Sequence, residues 1–359
     1  MAGTVPSTVA SPGEWWAPVV FPDANSICEK STARVEQSLR EASTTSPQFF
    51  TPLELRRAHS QREKRGNGLS YADMQRASEA AWRSRPAVFS VRVPQEARNH
   101  IGTAFGASVF DWHMRAAVSF ACGMLEPKAQ HRNIRVAAGR VECISPVLVG
   151  DEVRAYAEGG ACAPGGEGAD SHGVQRVHVS LVAHRSGGFS GSPVTYMEVG
   201  HSEFVLRPGT FSGSPKGEAH PFPSETISAA LRNLRARCYA AGSTGTGDME
   251  AHIRRCAQLA AIVDLQFYLA ACRSLRADQA PHTVATRALT LHFSPELAGH
   301  PVRPGELTVR CNQVHRNDTS IDRSSITVRG DVLLHDLPVV HATTKNVALG
   351  CCSTHYGSR

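Results

Sequence analysis

Between residues 87 and 206 the apolar positions alternate, then recur at helical spacing, then alternate again. Val88, Ser90 and Arg92 interleave with Phe89, Val91 and Val93, the period of two that marks a strand. From Phe105 to Leu125 the residues Val109, Phe110, Ala116, Ala117, Phe120 and Ala121 recur closely enough to predict a helix buried on most sides. Its Ala and Ser positions allow close packing on a sheet. Four strand-like segments follow at Ile134–Ser145, Glu152–Gly159, Val174–His184 and Val194–Leu206, each alternating or β-branched and bounded by Gly, Asp or Ser. The order strand, long helix, four strands predicts an α+β unit in which an antiparallel sheet wraps one central helix.

The same order returns. After the Pro/Gly/Ser-rich stretch RPGTFSGSPKGEAHPFPS, helical spacing runs over Ser224–Ala240 and breaks at GSTGTGD, Gly242–Asp248. It resumes as a second apolar helix at His252–Leu275. Strands are predicted at Thr283–Phe293, Glu306–His315, Ser320–Leu334 and Val339–Leu349. The segments CISPVLVGDEV and HFSPELAGHPVRPGELTV each run from a strand ending in Ser-Pro, through an apolar stretch, to a Gly before the next strand. Their serines, Ser145 and Ser294, stand 149 residues apart. Matching the two central helices sets Met114 opposite Asp264, 150 residues apart. Two separate landmarks with nearly one offset predict an internal duplication. The expected layout is a partly disordered extension over 1–84, one unit over 85–207, a linker over 208–223, a second unit over 224–350 and a tail over 351–359. Within the extension a polar helix is expected at Ser31–Ala42, and Arg56–Arg65 is basic.

Composition narrows the classes. The 359 residues suffice for two medium domains, and 41% hydrophobic with 19% charged residues is ordinary for a globular chain. The net charge of +6 is a mild excess that suits a solvated surface, and would also serve an anionic ligand such as a CoA phosphate or a nucleic-acid surface. The ten cysteines include no CxxC pair and follow no secretory apolar region, which points to a reducing compartment, mitochondrial or cytoplasmic, rather than secretion. No apolar run is long enough to span a bilayer.

Candidate chemistry gathers at Asn99 to Ala117, NHIGTAFGASVFDWHMRAA. An Asn, a Gly-Thr and a Phe-Gly-Ala stand directly ahead of the first long helix. Unpaired backbone N–H groups at such a helix start can face a carbonyl oxygen that gains negative charge. Asn99 equally suits a helix cap or the closing of a turn. Asp264, on an apolar helix, is expected to be desolvated and hence more basic, or else simply hydrogen-bonded to a neighbour such as Gln266 or to a backbone N–H. Asp111 and His113 read as polar residues at a helix edge, and His178 and His184, at even spacing, as sharing a solvent-facing side of a strand.

The run Asn99-x-x-Gly102-Thr103-x-Phe105-Gly106 with its helix, followed by VAAGRVECISPVLVGDEV at Val136–Val153, resembles the double-hotdog acyl-CoA thioesterases. The resemblance covers roughly residues 85–350. It implies tandem hotdog folds whose sheets join into one, acyl-CoA bound at their junction, hydrolysis to a free acid and CoA, no metal, no cofactor beyond the CoA of the substrate, and assembly into homo-oligomers. It also implies a composite site: an Asn at the helix start of one unit, and an acid within the helix of the other.

The departures from that pattern are complementary. The family's Trp-Met-Asp-Glu type helix sequence is matched here with Met114 at the Asp position and Arg115 at the Glu position, while Asp111 falls three residues early. In the second half Ile262-Val263-Asp264-Leu265 has the acid, but Asp248-Met249-Glu250-Ala251-His252 replaces the Asn and Gly-Thr. One complete site is therefore expected, with Asn99 and Asp264 catalytic and Gly102, Thr103, Gly106 and Ala107 binding the substrate or its oxyanion. The opposite site, at Met114, is expected to be dead.

Other chemistries fit less well. The Asp-and-His pair of hydratases on this fold is missing, His172, His178 and His184 form no HxxxH with an acid partner, and the Gly242–Gly247 loop has no Gly-Lys-Ser/Thr ending. The rival to a hydrolase is a catalytically degenerate scaffold subunit in a larger assembly, with nucleic acid or protein partners engaged through the basic N-terminal extension.

Overall fold

Two strands meet at the middle of a single nine-stranded sheet: β2 (Ile134–Cys143) from the first half and β6 (Thr283–Phe293) from the second. Their antiparallel register runs from Ala138 opposite His292 to Glu142 opposite Ala288. The computed structural model describes residues 71–99, 102–124, 134–160, 175–185, 195–208, 247–275, 283–294, 297, 307–318, 324–334 and 336–349. On one side of the seam lie β5 (Thr195–Pro208), β4 (Gln175–Arg185), β3 (Glu152–Gly160) and β1 (Phe89–Arg92). On the other lie β9 (Leu337–Leu349), β8 (Ser324–Leu334) and β7 (Leu307–Asp318). All neighbours pair antiparallel.

Each half-sheet wraps one long helix, so the chain is a tandem hotdog fold. Helix α2 (Gly106–Met124) matches its sequence-predicted span to within one residue at each end. Its face of Phe110, Met114, Ala117 and Ala121 is buried, while Asp111 and Arg115 pair at 3.0 Å along the helix edge. Helix α3 (Gly247–Arg273) begins five residues earlier than expected, so Gly247 and Asp248 belong to the helix and not to a loop. The inner faces of the strands supply Val153, Leu181, Phe204, Leu291, Ile326 and Val340 to a continuous core. Each such side chain contributes about 1.5–3 kcal/mol on burial. Gly139 is required in this core: a Cβ there would stand 2.4 Å from the Phe204 ring and 3.0 Å from Phe110.

The duplication is visible in backbone irregularities. A register shift falls between Val136 and Ala138 in β2 and between Thr286 and Ala288 in β6, at the same 150-residue offset as Met114 and Asp264.

The end of the N-terminal extension folds. Helix α1 (Tyr71–Ser84) lies on the outer face of the first half-sheet, where Ala81 and Trp82 cluster with Tyr156 and Val182. The Trp82 ring stands 5.3 Å from His184 and 5.8 Å from Tyr196, and the Arg154 guanidinium sits 4.1 Å above it. This corrects one expectation. His178 and His184 do share a strand face, but an aromatic cluster covers that face at His184. The expected helix at Ser31–Ala42, the basic segment Arg56–Arg65, the linker 208–223, the helical region Ser224–Ala240 and the tail 351–359 lie outside the described residues.

Candidate active site at the junction of the two halves

Asp264 projects from α3 toward the start of α2. Its carboxylate accepts the Ala107 backbone N–H on Oδ2 at 2.9 Å and the Thr286 hydroxyl on Oδ1 at 2.7 Å. The residue is 1% exposed. Burial pushes its carboxyl up to about 6, against the two hydrogen bonds that pull it down. The Thr286 Oγ1 also lies 3.3 Å from Asn346 Oδ1 on the neighbouring strand β9. Asn346 is itself fully buried, and its amide donates to Thr344 Oγ1 at 3.0 Å and to the Ile326 carbonyl at 3.4 Å. A Thr hydroxyl has one proton, and the shorter contact assigns it to the ionised Asp264.

The approach of the two helices depends on Gly106. A Cβ at that position would stand 2.7 Å from Asp264 Oδ2 and 3.3 Å from Thr286 Cβ. A glycine first residue therefore lets the helix start touch the carboxylate. The Gly106 N–H has no acceptor among the described residues. It is one of the unpaired donors that every helix start presents, and the helix dipole adds partial positive charge there.

The sequence-predicted residues divide into two groups. Gly106, Ala107 and Asp264 converge on one point. Asn99, Gly102 and Thr103 instead build the turn that delivers α2. The Asn99 amide donates to Thr103 Oγ1 at 2.9 Å and accepts the Thr103 N–H at 3.0 Å, and its backbone N–H reaches the Thr103 carbonyl at 2.7 Å. Gly102 has φ of +89°, a left-handed conformation that favours glycine. The turn-closing reading of Asn99 thus has direct geometric support. Ala107 also differs from expectation: its N–H is engaged by Asp264, which leaves Gly106 N–H as the donor open to a ligand. Gln266 is exposed, and the Asp264 carboxylate is held by Ala107 and Thr286 instead.

Thr286 and Asn346 were not singled out in the sequence. The signal is the duplication itself. The offset that sets Asp264 against Met114 sets Thr286 against Val136. The register then sets Asn346, opposite Thr286, against Leu206, opposite Val136. All three polar positions of the second half are apolar in the first, where Met114, Val136 and Leu206 are each no more than 1% exposed.

The opposite position is not merely emptied of polar groups. At the 150-residue offset the N-terminal turns of α3 correspond to the Asn99–Phe105 turn of the other half. His252, at the offset of Gly102, accepts the Val136 backbone N–H on Nε2 at 3.0 Å and lies 3.6 Å from Cys256 Sγ. Burial drives its pKa down to about 4, so the ring is neutral and acts as an acceptor. His113 also departs from expectation. It lies fully buried rather than at a helix edge, bonded through Nδ1 to Ser202 Oγ at 2.8 Å. Gly200 leaves room for it, since a Cβ there would come within 3.3 Å of Nε2.

Cys143, on β2, lies within electrostatic reach of Asp264. Burial pushes its thiol up to about 12, so it stands beside the carboxylate as a neutral group. Among the described residues no three His, Cys, Asp or Glu side chains gather as metal ligands do, and no helix is long and apolar enough to cross a membrane.

The sequence matches no protein-family model and no curated protein. Among solved structures it is similar to an acyl-CoA thioesterase II, TesB2, from Mycobacterium marinum, at 11% identity and a TM-score of 0.39, covering 71% of this chain and 96% of that one. It is also similar to the tesB protein of Mycobacterium avium subs paratuberculosis, at 8% identity and a TM-score of 0.41, covering 76% and 99%. A hexameric hotdog fold thioesterase of Campylobacter jejuni matches at 17% identity and a TM-score of 0.29, covering 35% of this chain and 84% of that one. The fold assignment for this chain rests on its own strand order, registers and helix placement.

Proposed function

We propose that the chain hydrolyses an acyl thioester, of the acyl-CoA class, at one composite site per chain. The observation that carries this reading is the buried Asp264 carboxylate held against the N-terminus of the other half's helix by Ala107 and Thr286. A buried carboxylate is costly unless it is paired and hydrogen-bonded, and a scaffold would gain nothing by keeping one. The first half shows that this fold tolerates the apolar alternative, Met114, Val136 and Leu206.

The chemistry follows from the arrangement. A water bonded to Asp264 gives a proton to the carboxylate as its oxygen attacks the thioester carbonyl carbon. The carbonyl oxygen gains negative charge and accepts the Gly106 N–H at the positive end of α2. Collapse of the tetrahedral intermediate breaks the C–S bond, and the departing thiolate takes the proton from Asp264. The products are a free acid and a thiol. Thr286 holds the carboxylate in one orientation, and the Asn99–Thr103 turn fixes the helix start.

The same reading includes a homo-oligomer and a reducing compartment, cytoplasmic or mitochondrial. The described cysteines, Cys122, Cys143, Cys256, Cys272 and Cys311, are all free thiols, which is consistent with such a compartment. Acyl-CoA hydrolysis by the purified chain, measured beside Asp264→Asn, tests the proposal.

A further inference from the structure

Where the second half pairs Ala285 with Val347, the first half pairs Arg135 with Arg207 directly across strands β2 and β5. Like charges opposite one another on adjacent strands destabilise a sheet. Arg135 is half-buried, and among the described residues neither guanidinium is ion-paired with a carboxylate. Burial and the Arg207 charge hold the Arg135 pKa below its ordinary value, as expected of an uncompensated pair.

Further positive charge comes from α3. The His252–Val136 hydrogen bond docks its first turns beside the start of β2, at the residue after Arg135. Pairing of β2 with β6 begins at Ala138, and α3 meets the strand ahead of it. Arg254 and Arg255 follow His252 on the same helix, and both Arg255 and Arg135 act electrostatically on the His252 ring.

We propose that the first half, at the end of β2 where Arg135 faces Arg207, holds a binding site for a small phosphorylated anion, with those two guanidinium groups as its core. Guanidinium groups present rigid forks of N–H donors that match the several oxygens of a phosphate or diphosphate. A small ligand fits better than a nucleic-acid strand. Farther along the same outer face Glu203 pairs with Arg176, and Glu142 with Arg140, so the positive charge does not continue as a track. The site is separate from the Asp264 carboxylate and does not depend on the hydrolase reading.

Calorimetric titration of the full chain with pyrophosphate tests this. Wild type binds, and Arg135→Gln/Arg207→Gln binds about tenfold more weakly or worse. The double variant without ligand melts no lower than wild type, because a repulsion has been removed. Arg135→Lys/Arg207→Lys, which keeps charge but loses the fork, falls between the two. Asp264→Asn binds pyrophosphate as wild type does. Hydrogen exchange on the wild-type chain gives a readout independent of any variant, with pyrophosphate protecting residues 134–136, 206–207 and 252–255. Failure of wild type to bind, equal binding by the double glutamine variant, loss of binding in Asp264→Asn, or protection confined elsewhere overturns the proposal. A single-stranded RNA that binds more tightly than pyrophosphate and loses affinity in the same double variant overturns the small-anion assignment.

Discussion

Ala107 and Asp264 are 157 residues apart in sequence and joined by a 2.9 Å hydrogen bond, the backbone N–H of one duplicated unit on the carboxylate of the other. Neither half holds this arrangement alone. The first contributes a helix that starts in glycine, and the second contributes the acid with its Thr286 partner.

The Gly106 position is the tightest part of that contact. Gly106→Ala places a methyl 2.7 Å from Asp264 Oδ2, so the carboxylate must turn away or the helix must shift. The expected outcome is a fall in kcat of about tenfold or more, since a displacement on the order of 1 Å is that costly in a positioned site. Steady-state kinetics beside a thermal melt checks it, with kcat falling more than stability accounts for.

Asp264 makes activity depend on pH. As a general base it must be ionised, so kcat rises with pH through about 6 and then levels. Stability runs the other way. Its carboxyl is raised in the folded state above the unfolded value of 3.8, so the native state holds the extra proton between the two values. Stability is therefore lost as pH rises from about 4 through about 6, by up to about 3 kcal/mol. Asp264→Asn removes this term, and denaturant melts at pH 5 and pH 8 should show the variant gaining on wild type at the higher pH.

His252 gives the complementary sign. Its folded pKa of about 4 lies below the ordinary 6.5, so its contribution is present above about 6.5 and is lost as pH falls toward 4. His252→Gln can keep an acceptor for the Val136 N–H without taking up the proton. Acid unfolding followed by circular dichroism should begin at a lower pH in that variant.

Asn99 closes the turn that leads into α2. Asn99→Ala loses the side-chain bonds to Thr103 and Ala104 and should cost about 1–2 kcal/mol of stability. Its pH–rate profile should keep the wild-type midpoint, because Asp264 is untouched. A displaced midpoint would place Asn99 at the carboxylate.

The Met114 position should not gain activity with one substitution. Met114→Asp buries a carboxylate among Val136 and Leu206, with no hydroxyl or amide at the positions of Thr286 and Asn346. Destabilisation of several kcal/mol with no gain in rate is expected, measured by denaturant melts and steady-state kinetics.

The fold was legible because its signals are periodic. The spacing of Phe110, Met114 and Ala117 on one helix face, and the alternation along β4, bury in one core as the pattern predicts. The duplication was legible for the same reason. Half of the site could be read as well, since Asp264 stands on an apolar helix and the Gly106 helix start is compositionally distinct. Thr286 and Asn346 were hidden because a polar residue on a strand has no signature until the register shows which face it occupies. The role of Asn99 was ambiguous because the same amide serves a turn or a substrate. The start of α3 was misplaced because Gly247 and Asp248 read as loop residues, whereas docking of His252 on Val136 holds the added turns.

The central claim is that one buried carboxylate, supplied by the second half to the helix start of the first, carries the reaction. Acyl-CoA hydrolysis by wild type and by Asp264→Asn, followed as thiol release, tests it most directly. The isosteric variant keeps the shape of the site and removes the base, so kcat should fall by about 10²–10⁴-fold. Equal rates in the two proteins, or no hydrolysis of any acyl-CoA by wild type, would contradict the account.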